Sequence, residues 1–239
     1  MSRQILFGPH HDWPTFGPVN DTVRGGASTS QWKVLDESNR ARFSGHLDIS
    51  ALGGAGFASQ STAFKPTLSL SPHDFSGLAI TLSVPSHIPQ GHPSAFVLTL
   101  KNDIPGRRQD GRRESVLSYE MAFDLRELAG EKDREVEIVA EWKDFKATYR
   151  GREDKEAKPL NSEKIEELSF MCRSNFGAQH GDFSLDIVSL AAVREPFPSH
   201  QGSSAPSQTW FGWLLSLITN AWSSLCSKLR GDGALRLPE

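Results

Sequence analysis

The chain has 239 residues, of which 37% are hydrophobic and 23% charged, and its formal net charge is −3. This balance is typical of a globular protein, and the length suits one β-sandwich of about 200 residues or two smaller domains. The charge disfavours nucleic-acid binding, which usually needs a strongly basic face. Two cysteines, Cys172 and Cys226, are too few for a disulfide framework, so we expect a reducing compartment.

The N-terminal segment MSRQILFGPHHDWP has neither the long apolar core of a signal peptide nor the Arg- and Ser-rich pattern of a transit peptide.

Three groups in the chain have the residue types of metal ligands: His10 and His11 with Asp12, His46 with Asp48, and His180 with Asp182. Metal ligands occur in groups with a fitting spacing, and these pairs are scattered. We therefore expect solvated or hydrogen-bonded histidines and no bound metal.

Between Asp21 and Gln60 the chain carries six glycines among Ser and Thr, a density typical of tight turns and close backbone contacts. Alternation within this stretch predicts a half-buried strand. One face would carry Phe43, Gly45, Leu47 and Ile49, and the other Arg42, Ser44, His46 and Asp48. Gly54-Ala55-Gly56 lacks the third glycine and the helix of a dinucleotide fingerprint, so we expect a strand connection and no cofactor.

Five later segments also alternate between apolar and polar residues. The apolar positions are Leu78, Ile80, Leu82 and Val84; Phe96, Leu98 and Leu100; Leu117, Tyr119, Met121 and Phe123; Val136, Ile138, Ala140 and Trp142; and Phe183, Leu185 and Ile187. Such strands, separated by turn residues, predict an all-β sandwich of antiparallel sheets. One short helix is predicted from Ser162 to Ser169, with Ser162 as its cap.

A basic loop contains Arg107, Arg108, Arg112 and Arg113. It is either a solvated hairpin tip or an electrostatic contact with a protein or an anionic headgroup.

Cys172 would be a nucleophile only beside a histidine, and an inert buried thiol is the simpler interpretation. Because the sequence groups no nucleophile, base and oxyanion donor, we expect no enzyme activity.

The chain changes character after residue 195. We predict a domain at 1–195, a flexible Pro-, Ser- and Gly-rich linker at 196–208, an amphipathic helix at 209–230 and a disordered tail at 231–239. The helix suits a membrane interface better than a span, while docking on protein stays open. Its candidate membrane-contact residues are Trp210, Trp213, Leu214, Leu217, Ile218, Trp222 and Leu225.

Five separated motifs occur in a fixed order along the chain. They are Asp21-Thr22-x-Arg24-Gly25-Gly26-x-Ser28, Phe43-Ser44-Gly45, Gly53-Gly54-Ala55-Gly56-Phe57-Ala58, Trp142-x-x-Phe145-x-x-x-Tyr149-x-Gly151 and Gly181-x-Phe183-x-Leu185-x-Ile187. In this order they resemble the complex I intermediate-associated protein 30 family over residues 13–193. The resemblance implies a galactose-binding-domain-like jelly roll and a mitochondrial, membrane-associated, chaperone-like assembly factor for respiratory complex I. The N-terminal pattern leaves the cytosolic face of a membrane as the alternative location.

In sandwiches of that type, partners usually meet the loops at one end. By this fold-level analogy, eight polar residues are candidates for partner binding: Asp21, Arg24, Ser28, Gln60, Arg150, Arg152, Arg173 and Gln179. Asp21 and Arg24 have a second interpretation, a charged pair that locks a glycine turn. The leading functional hypothesis is a non-enzymatic assembly factor that binds protein, and the alternative is a module for a small ligand or glycan.

Overall fold

The computed structural model describes residues 3–35, 38–109 and 113–194. The strands within these ranges are β1 Arg3–Phe7, β2 Gly17–Pro18, β3 Thr29–Leu35, β4 Arg40–Leu47, β5 Phe57–Leu68, β6 Gly77–Val84, β7 Ala95–Lys101, β8 Ser118–Asp124, β9 Arg134–Glu141, β10 Lys146–Tyr149, β11 Arg152–Glu153, β12 Ile165–Arg173 and β13 Gly181–Val193. One α-helix, α1, spans Leu125–Leu128, and short 3₁₀ turns occupy Asp21–Arg24, Leu52–Gly54 and Trp142–Asp144.

The strands form two antiparallel sheets. The six-stranded sheet has the order β3-β4-β13-β6-β9, with β1 also paired to β13. The seven-stranded sheet has the order β11-β10-β8-β7-β12-β5-β2. Successive strands of the chain often lie in opposite sheets, as they do in jelly rolls.

The core lies between the two sheets and is built by period-2 alternation. The ring centroids of Phe43 in β4 and Phe183 in β13 are 5.0 Å apart, and Phe96 in the opposite sheet lies 6.2 Å from Phe43. Leu98 and Phe170 are fully buried beside them. The prediction of an antiparallel all-β sandwich is therefore confirmed.

The prediction of a helix from Ser162 to Ser169 is wrong. This segment enters strand β12, in which Leu168, Phe170 and Cys172 alternate into the core. An irregularity between Ile165 and Glu167 shifts the register at the start of the strand. Between these two residues β12 advances by two positions and its partner β5 by five, so the extra residues lie in β5. Ile165 and Leu168 are nevertheless both buried in the core, and their spacing of three imitates a helical turn.

The linker at 196–208, the helix at 209–230 and the tail at 231–239 lie outside the described residues, and so do all seven candidate membrane-contact residues. Their assignment stays a prediction. Among the residues that the structure describes, no helix has the length and hydropathy required to cross a bilayer.

The connecting loops gather at two ends of the sandwich. The Asp21 end comprises residues 19–28, 48–56 and 174–180. The opposite end, which we call the Arg150 end, comprises the loops that follow β7 and β10.

Candidate partner-binding site

A buried carboxylate organises the Asp21 end. Asp21 is 0% exposed and opens the 3₁₀ turn Asp21–Arg24. Its Oδ1 accepts a hydrogen bond from the Ser28 backbone N–H (3.1 Å), and its Oδ2 accepts from the Ser28 hydroxyl (2.8 Å) and the Phe57 backbone N–H (3.0 Å). Charge-assisted hydrogen bonds of this kind are stronger than neutral ones. The carboxylate thus joins the turn to the start of β5.

Two glycines make room for this carboxylate. A Cβ atom added to Gly26 would overlap the Asp21 carboxyl group, and one added to Gly56 would overlap the Asp48 carbonyl oxygen. Asp48 lies in the same network, because its N–H donates to the Ser28 hydroxyl at 3.1 Å. The glycine density that marks this part of the sequence therefore reflects close packing around Asp21.

Asn20 and Gln60 extend the network into the sheets. The Asn20 side-chain oxygen accepts from the Ser30 hydroxyl at 2.7 Å and from the Ser59 N–H at 3.0 Å. The Gln60 amide donates to the same Ser30 hydroxyl at 3.0 Å. Ser30 belongs to the six-stranded sheet and Gln60 to the seven-stranded sheet, so these bonds tie the two layers together.

Ser174 clamps two of the loops to each other. Its hydroxyl donates to the Gly54 carbonyl at 2.5 Å and accepts from the Gly56 N–H at 3.0 Å, while its own N–H donates to the Gly56 carbonyl at 2.9 Å. The Gln179 amide fixes the same loop from its other side. Its oxygen accepts from the Ser94 N–H at 3.0 Å, and its nitrogen donates to the Arg173 carbonyl at 2.8 Å.

The clamped loops present two apolar side chains to solvent. Leu52 is 40% exposed and Phe176 is 88% exposed. Both have left-handed backbone conformations, with φ of 54° and 60°. Sequence reasoning did not select either residue, and the available signal was a bulky residue inside the turn-like runs Leu52-Gly53-Gly54 and Asn175-Phe176-Gly177.

The structure brings together part of the predicted set of eight. Five of its residues lie at the Asp21 end: Asp21, Arg24, Ser28, Arg173 and Gln179. Gln60 lies within β5. Arg150 and Arg152 lie at the other end of the sandwich, so the expected gathering of all eight is wrong. The reason is the direction of β10, which runs antiparallel to β8 and ends with Thr148 paired to Ser118 at the start of β8. The start of β8 lies beside the end of β7, so the chain leaves β10 at the Arg150 end.

Burial divides the same eight residues by role. Four are buried, namely Asp21, Ser28, Gln60 and Gln179, and their polar groups are used within the molecule. Arg24, Arg150 and Arg152 are exposed, and half-buried Arg173 forms an ion pair with Glu120 at 2.7 Å. The lock predicted for Asp21 exists, but its partners are Ser28 and Phe57. The Arg24 guanidinium lies 5.8 Å from the Phe57 ring centroid.

In the basic loop at the Arg150 end, Arg107 and Arg113 form an isolated antiparallel β-bridge. Arg113 pairs with the buried carboxylate of Glu167, which also binds the Lys101 ammonium at 2.7 Å. Arg107 and Arg108 are exposed. Arg112 lies outside the described residues.

One histidine candidate pairs with a carboxylate, and the cysteine candidate is buried. His46 Nδ1 lies 2.7 Å from the Asp182 carboxylate across the β4–β13 pair, so Asp182 joins His46 and not His180. Within the described ranges, no three His, Cys, Asp or Glu side chains form a group that could hold a metal ion. Cys172 is fully buried, and this burial raises the pKa of its thiol far above the ordinary value. A thiol with a raised pKa is a poor nucleophile at neutral pH.

The fold and this site define a class of protein: an antiparallel β-sandwich whose loops at one end are joined by buried and part-buried hydrogen bonds. The family model described as complex I intermediate-associated protein 30 matches residues 5–187. The chain belongs to this family, as the five motifs predicted.

Similar proteins include a relative and solved structures. An uncharacterized protein of Schizosaccharomyces pombe is 32% identical over 226 residues, which cover 91% of this chain and 97% of that protein. A family 11 carbohydrate-binding module from Clostridium thermocellum, solved with a β-1,3-1,4-mixed-linked tetrasaccharide, is 11% identical with a TM-score of 0.48 and covers 80% of this chain and 95% of its own. An agarase is 10% identical with a TM-score of 0.47, covering 95% of this chain and 31% of its own.

Proposed function

We propose that the protein is a non-enzymatic assembly factor that binds protein, and that its client is a subunit or intermediate of mitochondrial respiratory complex I. The observation that carries the proposal is the family match over residues 5–187, whose name refers to complex I intermediates. The motifs of the family resemblance include Asp21, Ser28, Gly56 and Phe57, which meet in one buried network at the Asp21 end.

Rigid loops favour binding over catalysis as the use of this end. A loop that is already fixed in its bound conformation loses less conformational entropy when a partner docks. The carboxylate of Asp21 is fully buried and accepts three hydrogen bonds from its own chain, so it is poorly placed to act as a general base. The thiol of Cys172 is likewise buried within the core.

The test is deletion of the gene, followed by native gel electrophoresis of the respiratory complexes. We expect less mature complex I and a stalled subassembly, both reversed by the wild-type chain. Normal complex I without a stalled intermediate would exclude this client. An internal tag would locate the protein, and we expect it in mitochondria at a membrane.

We further propose that residues 209–230 hold the protein at that membrane through an amphipathic helix. The support is the sequence pattern, which places Trp and Leu on one face and mostly hydroxyl side chains on the other. Replacing Trp213, Leu217 and Trp222 by Ala should release the protein from liposomes in a flotation assay. The matched control replaces Ser216, Thr219 and Ser223 by Ala, and we expect it to float as the wild type does. Unchanged flotation of the first variant would assign the anchoring to another surface.

A second candidate function is binding of a small ligand or glycan on the outer face of the seven-stranded sheet. Four polar residues form a continuous row across this face, in the order Glu120, Thr99, Ser169 and Ser61. The Thr99 hydroxyl is buried and has no hydrogen-bond partner among the described residues, and a ligand that displaced the side chains covering it could supply one. A thermal-shift screen against soluble oligosaccharides tests this function, because a ligand of the folded state raises the melting temperature.

A further inference from the structure

The loops of residues 50–56 and 174–178 lie against each other at the Asp21 end, and we call them the apolar tip. It carries Phe176, 88% exposed, and Leu52, 40% exposed. In the described part of the chain, the other large hydrophobic side chains with such exposure are Ile104 and Tyr149, and both lie at the Arg150 end. A phenyl ring exposed to this degree leaves on the order of 150 Å² of apolar surface in water. Folding of the sandwich gains nothing from that surface.

The backbone of the apolar tip also disfavours these side chains. Leu52, Asn175 and Phe176 all have positive φ, at 54°, 48° and 60°. Asparagine and glycine adopt this conformation at the lowest cost, whereas a bulky residue there is an outlier. Two apolar residues at positions that suit Asn or Gly indicate a use outside the fold itself.

The two loops that carry these side chains are bonded to each other. Ser174 bonds to both Gly54 and Gly56, and a Cβ on Gly54 would lie 3.7 Å from the Gly177 nitrogen, so the loops are in contact. Behind them, the Asp21 network holds the start of β5. The apolar tip is therefore preorganised.

We propose that the apolar tip is the surface by which the protein grips its client, with Phe176 and Leu52 inserted into an apolar pocket of a folded protein. The inference rests on the proposed function as a protein-binding assembly factor. Central aromatic anchors that are rigid before binding contribute most of the binding energy in such interfaces. Charged residues are depleted at the centre of such an interface, and residues 50–56 and 174–178 contain none.

The charges around the apolar tip favour a protein over a lipid surface. Loops that insert into anionic membranes gain attraction from neighbouring Lys and Arg. Here the neighbouring charges have both signs: Arg24 is exposed and cationic, Asp48 is half-buried and anionic, and His46 is paired with Asp182. A bilayer also accepts an apolar side chain from a loop of any geometry, so it gives no reason for the Ser174 clamp.

The test compares a tip variant with a matched control in cells that lack the gene. The tip variant is Leu52→Asn with Phe176→Asn, because Asn tolerates positive φ and preserves the fold. The control is Ile104→Asn, which removes a similarly exposed apolar residue from the opposite end. In native gels with a denaturing second dimension, we expect wild type and control to co-migrate with a high-mass intermediate. The tip variant should bind it about 30-fold more weakly and migrate as the free protein. Co-migration of the tip variant at the wild-type level would overturn the inference.

A second arm separates this inference from the proposed function. A photo-crosslinking phenylalanine analogue at position 176 should form one discrete adduct with another protein in intact cells, and Leu52→Asn should weaken that adduct. The same analogue at position 104 should not form it. If the wild type joins no high-mass intermediate but the adduct forms, the proposed complex I client is wrong, whereas the apolar tip remains the binding surface. The inference fails if position 176 forms no adduct, or if the adduct has the mass of two copies of this chain. It also fails if the wild type and the Ile104→Asn control float with phosphatidylcholine vesicles that contain phosphatidylserine and the tip variant does not.

Discussion

Replacing Asp21 by Ala should destabilise the whole domain, because it removes the acceptor for three donors. The donors are the Ser28 N–H, the Ser28 hydroxyl and the Phe57 N–H, at 3.1, 2.8 and 3.0 Å. The hydroxyl can turn to the Asp48 carbonyl, which is 3.5 Å away, so two backbone N–H groups are left buried without an acceptor. At about 1 to 3 kcal/mol for each such group, together with the lost charge-assisted bonds, we expect a decrease of about 3 to 5 kcal/mol in the free energy of unfolding.

Urea denaturation followed by tryptophan fluorescence measures this change. The midpoint should fall while the slope with urea stays the same, since the variant alters stability and not the surface exposed on unfolding. For a domain of this size, the expected change corresponds to a decrease of about 6 to 20 °C in melting temperature.

Two further variants give this experiment its controls. Asp21→Asn keeps the shape and one acceptor oxygen but places an N–H₂ group against a donor, so its loss of stability should be about 1 to 3 kcal/mol. Asp182→Ala removes an exposed carboxylate from its pair with His46 and should leave the midpoint unchanged. An Asp21→Ala protein within about 0.5 kcal/mol of the wild type would refute the view that this carboxylate organises the loops.

Three other predictions follow from the same contacts. Gly26→Ala should lower the urea midpoint clearly more than Gly25→Ala, because a Cβ at position 26 overlaps the Asp21 carboxyl group. At position 25 the space is open, and the only cost is the φ of +89°. Equal losses in the two variants would contradict this prediction. In a Cys226→Ser background, iodoacetamide should label Cys172 only after denaturation, as detected by mass spectrometry, and labelling of the native protein would show that the thiol is accessible. Burial raises the pKa of the Tyr119 phenol. The neutral phenol should contribute fully to stability below its unfolded-state pKa of about 10, and this contribution should be lost as the pH rises through its folded-state pKa. The urea midpoint of Tyr119→Phe should therefore depend less on alkaline pH than that of the wild type.

Alternation in the sequence predicted the strands whose two faces differ, among them β4, β6, β7 and β13. It failed where local pairing changes the pattern. In β12, Ile165 and Leu168 are both buried although three positions separate them, and this spacing is typical of a helix. In β5, polar Gln60 and Thr62 are buried, because hydrogen bonds such as that from Gln60 to Ser30 satisfy groups that a simple pattern places in solvent.

The site was predictable only where its contacts are local. Seven positions separate Asp21 from Ser28, and the motif that contains both indicated a locked turn. Contacts across the fold could not be obtained in the same way. Ser174 meets Gly54 from 120 positions away, and the direction of β10 sends Arg150 to the far end. Fold-level analogy supplied candidate residues but not the register that decides which of them meet.

The two kinds of residue at the Asp21 end have different consequences for recognition. Asp21, Gly26 and Gly56 are tied to the backbone geometry of the loops, and a change at any of them alters the scaffold before it alters a contact. Leu52 and Phe176 have no such role, because their side chains project from a backbone that Asn or Gly would fit at lower cost. The motif that identifies the family therefore marks the support of the apolar tip. We expect the choice of partner to depend on the exposed residues that this support holds in place.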